Sequence, residues 1–261
     1  MSERFETEFS VRSYELDAAL DAPPASFLRW FQEAAIRASA AYGYDEERYE
    51  QLGTAWFMKE SHLLIRSQPR TGELVRVATW VGDITRVNSH RQYLAFGSDG
   101  RMLARGEANW VYVDRRTGRP RRLEREILDA FQQKSEYALK DRDWGAAVLS
   151  RTYPADPQFT TTHVVRWTEL DAAGHVNNAV YADWIRDDCA AFRPEARIVR
   201  LRLNYRQPAL LGESLVRELV PLEETVWGYR IRRSESEETI SLAVIQTTLS
   251  VVPNEVCLRD G

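Results

Sequence analysis

Residues 11–31 (VRSYELDAALDAPPASFLRWF) and 165–185 (VRWTELDAAGHVNNAVYADWI) are one stretch written twice. Without a gap they share Val11/Val165, Arg12/Arg166, Glu15/Glu169, Leu16/Leu170, Asp17/Asp171, Ala18/Ala172, Ala19/Ala173, Ala25/Ala179 and Trp30/Trp184. A second echo follows in the same order. HLLIRSQPRTGE at 62–73 and LRLNYRQPALLGE at 201–213 share Gln-Pro and then, past one inserted residue, Gly-Glu. Two echoes in one order mark a duplicated module of about a hundred residues, and a duplicated module folds as like units that cover one another.

Each copy reads as a helix followed by strands. In copy one, Pro23 and Pro24 stand where a helix opens and a missing N–H costs nothing, and Phe27, Leu28, Phe31 and Ala35 carry the apolar stripe. In copy two, Asn177 or Asn178 can cap the helix, Val180, Tyr181, Trp184, Ile185 and Phe192 recur at helical spacing, and Pro194 lies past its end. LVRVATWV (74–81) and RLRLNYR (200–206) alternate as strands, and 91–113 and 228–252 read as hairpins, the first turning at Asp99-Gly100. A long helix wrapped by a curved antiparallel sheet is the hot-dog arrangement. One unit leaves a sheet edge and a helix face bare, so units pair. The expectation is an α+β tandem (double) hot-dog: an N-terminal unit over 1–130, a linker over 131–157 and a C-terminal unit over 158–261.

With 35 basic and 39 acidic residues in 261, the net charge of −4 excludes the global basic field of a non-specific nucleic-acid binder. No apolar run spans a bilayer, so no membrane insertion is expected, and the N-terminus has no signal or transit pattern. Cys189 and Cys257 form neither a disulfide framework nor a metal spacing, and a cytoplasmic protein is expected. His62, His90 and His163 are isolated, so no metal is expected.

Chemistry concentrates in DAAGHVNNAVY at 171–181, which places a carboxylate, a glycine, an imidazole and two amides at a helix start. Backbone N–H groups there, with the positive end of the dipole behind them, suit a developing oxyanion. Asp171 can activate water or attack directly, His175 can move a proton near neutral pH, and Gly174 allows close backbone approach. In copy one Asp17 survives, but Leu20, Asp21 and Pro23-Pro24 replace Gly174, His175 and Asn177-Asn178. Copy one is therefore expected to carry no chemistry.

Asp-x-x-Gly-His-Val-Asn-Asn-x-x-Tyr resembles the signature of hot-dog thioesterases. The duplication, GTAWFMKESHLLIRSQPRTGELVRVATWV and ANWVYVDRRTGRPRRLERE are similar to the acyl-acyl carrier protein thioesterases, double hot-dog enzymes that end fatty-acid synthesis. The resemblance implies hydrolysis of a fatty acyl thioester on acyl carrier protein, without metal or redox cofactor. It implies Asp171, His175 and Asn177 as catalytic and Gly174, Asn178 and Tyr181 as substrate-binding residues, with Phe27 and Phe31 of copy one lining the acyl-chain pocket. Arg116, Arg121 and Arg122, in the basic loop, become a docking patch for the acidic carrier. The plant pattern Asp-x-Asn-x-His is broken by Ala173, and the family's Glu-Cys after Tyr-Arg-x is replaced by Pro208-Ala209, with Gln207 and Glu213 as nearby substitutes. An acyl-CoA thioesterase and a non-catalytic acyl-thioester sensor are the rival readings. Monomer and homodimer both stay open.

Overall fold

The computed structural model describes residues 4–131, 133–150 and 156–248; Cys257 lies outside them. The N-terminal half contributes β1 (Phe5–Ser10), β2 (Thr54–Ile65), β3 (Leu74–Ile84), β4 (Asn88–Phe96) and β5 (Met102–Asp114). The C-terminal half contributes β6 (Phe159–Val164), β7 (Ile198–Tyr205), β8 (Ser214–Glu223), β9 (Val226–Arg233) and β10 (Thr239–Thr247). All ten join one antiparallel sheet in the order β1-β3-β4-β5-β2-β7-β10-β9-β8-β6. Helices α1 (Pro24–Ala41) and α5 (Val180–Phe192) share a single hydrophobic cluster with the sheet. Shorter helices are α2 (Glu46–Leu52), α3 (Arg125–Ala130) and α4 (Ala146–Leu149). Among the described residues no helix is long and apolar enough to cross a membrane.

Read outward from the β2–β7 seam, the two half-sheets have the same strand order, so a pseudo-twofold axis relates them. The axis crosses the seam at the His62–Arg202 pair, flanked by Leu63–Leu201 and Ser61–Leu203. It also passes between the helices, where Arg29 of α1 forms an ion pair with Asp183 of α5. Arg29 and Asp183 are equivalent residues of the two copies. A homodimer would set like against like here; duplication within one chain lets a cation face an anion.

Most of the residues repeated between the copies build the same local joints twice. Glu15 accepts a hydrogen bond from the Trp30 indole at 3.0 Å, and Glu169 accepts one from Trp184 at 3.0 Å. Each tie fixes a helix to the turn before it. The N–H of Val11 donates to Glu73 and that of Gly72 to Val11; Val165, Glu213 and Gly212 repeat the exchange. This is why Gly-Glu recurs in both echoes. Helix α1 opens on Pro24 and buries Phe27, Trp30, Phe31, Ala34 and Ala38. Phe31 stacks on Tyr93 at 4.7 Å and lies so close to Gly106 that a Cβ there would meet its ring at 2.5 Å. Glycine is required at that crossing.

The segment joining the halves runs over the outer face of the seam, held mainly by arginines. Arg202 donates to the carbonyls of Arg142 and Trp144 at 2.8 Å, and Arg206 to that of Leu149 at 2.8 Å. Arg200 pairs with Asp141 at 2.6 Å and donates from Nε to His62 Nε2 at 3.0 Å. The Trp144 ring stacks over His62. Burial, then the charges of Arg200 and Arg202, hold His62 at a pKa of about 3, well below its ordinary value. The folded state thus binds this proton less readily than the unfolded one. The stabilisation is complete above the unfolded value of about 6.5 and is lost as pH falls towards 3, by at most about 1.4 kcal/mol per pH unit. His62→Gln keeps an acceptor for Arg200, so its urea midpoint is expected to fall less between pH 7 and pH 5 than that of the wild type.

Candidate active site

Residues 171–179 close a tight loop between the 3-10 turn Trp167–Glu169 and α5. The Asp171 N–H donates to the His175 carbonyl at 2.8 Å and Gly174 N–H to the Asp171 carbonyl at 3.0 Å. The Ala173 N–H donates to Asp171 Oδ1 at 2.9 Å. Gly174 takes φ +79°, the left-handed conformation the turn needs, with open space around it. Asn177 accepts the Ala179 N–H on its side-chain oxygen at 2.9 Å, so this amide holds the entry to α5. Among the described residues the N–H groups of His175 and Asn178 meet no acceptor. The Asn178 N–H lies just ahead of the first turn of α5, at its positive end, and the His175 N–H belongs to the turn before it.

Copy one folds the same loop from different residues. Asp17 N–H donates to Asp21, Leu20 N–H to Asp17, and Ala19 N–H to Asp17 Oδ1. Leu20 accepts a left-handed φ of 59°, a modest strain that Gly174 avoids. The aspartate common to both loops is therefore required by the turn, and what separates the sites is its second oxygen. Asp17 Oδ2 is held by Arg186 of α5 through Nη2 at 2.9 Å and Nε at 3.1 Å. A second cation, Arg197, lies 2.6 Å from Asp21. Two ion pairs seal the N-terminal loop.

Among the described residues neither seal exists around the C-terminal loop. Asp171 Oδ2 has no partner among the described residues, and half-buried His175 meets the edge of the Phe57 ring, centroids 6.2 Å apart. Phe57 of β2 and Arg197 are equivalent positions, so an aromatic ring stands where copy one has its sealing arginine. Beyond the loop, Tyr205 donates to the Asn178 carbonyl at 3.0 Å and lies 3.1 Å from the Ser61 hydroxyl. Their equivalents across the axis are Ile65 and Leu201, both apolar. Burial raises the Tyr205 hydroxyl above its ordinary pKa and pushes Tyr181 up to about 12, so both stay protonated and Tyr205 can donate. Tyr181 packs edge-on against Tyr205 at 5.3 Å, fixing the floor of the loop.

Other candidates fall at a distance or into structural roles. Phe27 and Phe31 are buried between α1 and its half-sheet. Glu213 is tied to Arg233 at 3.0 Å, and Ala209, where the plant pattern has Cys, offers its carbonyl to the Val176 N–H. Gln207 hydrogen-bonds through its backbone N–H to Ile240. Cys189 is buried, its thiol pushed up to about 12 by desolvation, and is inert. The basic loop borders the site: a Cβ on Gly118 would lie 3.9 Å from the Phe57 ring that faces His175. In that loop Arg121 is committed to Glu124 at 2.6 Å, whereas exposed Arg116 and Arg122 form no ion pair among the described residues. Phe57, Ser61 and Tyr205 were missed in the sequence because two of them come from the other copy. Their signal was the mismatch with their repeat partners.

The interiors of the halves differ as well. Under α5, Asp188 accepts hydrogen bonds from Arg217 at 2.8 Å and from Tyr229, all three buried. Under α1 the equivalent residues are Ala34, Val77 and Tyr93. The C-terminal interior thus carries a charged cluster within its apolar core, at a place where the N-terminal one has Ala34, Val77 and Tyr93. Two cavities, about 500 and 700 Å³, lie instead on the outer face, lined in part by Arg66, Arg105 and Leu139 and by Glu60, Glu107 and Trp144.

Two domain models match in tandem: acyl-ACP thioesterase N-terminal domain over 2–131 and acyl-ACP thioesterase C-terminal domain over 154–247. An acyl-[acyl-carrier-protein] hydrolase of Cuphea viscosissima, chloroplastic, is 26% identical over 238 residues, covering 86% of this chain and 57% of that one. A palmitoyl-acyl carrier protein thioesterase of Gossypium hirsutum, also chloroplastic, is 26% identical over 219 residues, 78% of this chain and 51% of that one. The chain thus spans little more than half the length of these curated relatives. Among solved structures, the 12:0-ACP thioesterase of Umbellularia californica superposes with TM-score 0.80 at 19% identity, over 95% of this chain and 98% of that one. An acyl-ACP thioesterase of Bacteroides thetaiotaomicron gives TM-score 0.80 at 15% identity, over 93% and 96%. At such identities the likeness is one of fold, the double hot-dog expected from the repeat. With both domain models matched in order along the described halves, the chain belongs to the acyl-ACP thioesterase family.

Proposed function

We propose that the chain hydrolyses fatty acyl thioesters carried on acyl carrier protein, at a single site centred on Asp171. The observation that carries this reading is the contrast between the loops: two arginines seal Asp17 and Asp21, while Asp171 keeps an unclaimed carboxylate oxygen. In the proposed reaction Asp171 Oδ2 takes a proton from water as the oxygen adds to the thioester carbonyl. The oxyanion is met by the His175 and Asn178 N–H groups. It collapses by expelling the phosphopantetheine sulfur, and the proton that Asp171 took from water passes by way of the His175 imidazole to that sulfur, which leaves as a thiol and restores both groups. The products are the free fatty acid and the carrier with its thiol restored. Asn177 serves by holding the loop on α5, and Tyr205 by fixing Asn178. The interior under α1 is apolar but closely packed, so an alkyl chain would enter it only as Phe27 and Phe31 move aside, whereas the Asp188–Arg217 pair makes the other interior unsuitable.

The basic loop beside Phe57 suits an acidic carrier. Arg116→Glu with Arg122→Glu is expected to lower kcat/KM for acyl carrier protein substrates about tenfold at low salt, with the deficit shrinking at high salt. A short acyl thiol without a carrier should be hydrolysed as before. Equal loss on both substrates would make the loop a structural element. Measured side by side on palmitoyl carrier protein and palmitoyl-CoA, the wild type is expected to favour the carrier protein. Preference for CoA would transfer the activity to the acyl-CoA class.

A further inference from the structure

The pseudo-twofold also indicates what stands opposite Asp171. Contacts between the halves come in equivalent pairs: Arg197 on Asp21 corresponds to Phe57 on His175, and both are present. The pairing at Asp17 is with Arg186, two residues beyond the Trp184 that is clamped by Glu169. On α1 the clamped residue is Trp30, held by Glu15 in the same way, and two residues beyond it is Gln32. With Trp30 and Trp184 clamped alike, Gln32 holds on α1 the place that Arg186 holds on α5. It is half-buried, and its carboxamide has no hydrogen-bond partner among the described residues.

We infer that Gln32, contributed by the copy whose own loop is sealed, faces the unclaimed oxygen of Asp171 and is a catalytic residue that holds the attacking water there. This rests on the hydrolytic reading above. A water that is to attack needs both of its hydrogens placed. Asp171 Oδ2 takes one, and Gln32 Oε1 accepts the other, which turns a lone pair towards the thioester carbonyl. A neutral amide leaves the carboxylate its negative charge and its basic lone pair. An arginine at this place would claim both, as Arg186 does at Asp17, through a charge-assisted fork. The replacement of Arg by Gln at one of two equivalent positions is thus what keeps one site open.

The test uses Gln32→Met, which keeps length and loses the acceptor, and Gln32→Arg, which rebuilds the seal. Both are expected to lower kcat on palmitoyl carrier protein about tenfold to a hundredfold with KM little changed. In an Asp171→Asn background neither should lower the residual rate further, because the water has lost its base. Arg186→Gln, at the equivalent position, should leave kcat intact. A crystal structure of the Gln32→Arg variant should show the guanidinium hydrogen-bonded to Asp171. A guanidinium turned to solvent would overturn the placement, unchanged kcat in both variants would overturn the role, and additive losses in the Asp171→Asn background would make Gln32 structural. Absence of thiol release by the wild type would instead overturn the hydrolytic reading, while the crystal structure would still decide where Gln32 lies.

Discussion

Asp171→Asn is expected to lower kcat at least about a hundredfold, while Asp17→Asn leaves it within about twofold. The comparison is clean because an Asn oxygen can accept the N–H of Ala173 or Ala19 as the carboxylate does, so both loops persist. Asp171→Asn removes only the basic oxygen. Asp17→Asn removes the anion facing Arg186 in the loop expected to carry no chemistry, and its cost should appear in stability. Initial rates of thiol release at saturating substrate, with melting curves for both variants, check the pair. Comparable losses of activity would place chemistry in both copies.

The largest expected effect on stability comes from inside the C-terminal half. Burial raises the Asp188 carboxyl above its ordinary range against the opposing influence of Tyr229 and Arg217, so the cluster is held together at a desolvation cost. Asp188→Ala leaves Arg217 buried without its anion and should lower stability by about 3–5 kcal/mol. Adding Arg217→Val recreates the residues found under α1, Ala34 and Val77, and should recover most of the loss, since a buried ion pair is often no better than an apolar replacement. Urea denaturation of the single and double variants reads the difference. A double variant as unstable as the single would mean that the charged pair contributes more than its replacement.

How much of this was legible beforehand follows from what a repeat preserves. Glu15 and Glu169, Trp30 and Trp184, and the two Gly-Glu steps recur because each joins residues within one copy. Repeated residues therefore disclosed the tandem helix-and-sheet architecture, whereas the order of the ten strands and the β2–β7 seam came only with the structure. The recurrence of Asp171 as Asp17 has the same origin, since in each loop the carboxylate accepts the backbone N–H two residues on and so serves the turn both loops share. What distinguishes the loops is delivered from the opposite copy, by Arg186 and Arg197 on one side and Phe57 and Ser61 on the other. No local spacing marks those contacts, which close only when the halves meet across β2 and β7. Asn177 stood out as a reactive amide, but its oxygen is occupied at the start of α5.

The most direct measurement is thiol release from acyl carrier protein loaded with chains from octanoyl to stearoyl, with free fatty acid quantified in the same samples. The wild type is expected to release thiol and fatty acid in equal amounts, with a preferred chain length, and Asp171→Asn to release neither at a comparable rate. Tight binding of the loaded carrier, with no thiol released at any chain length, would contradict the account.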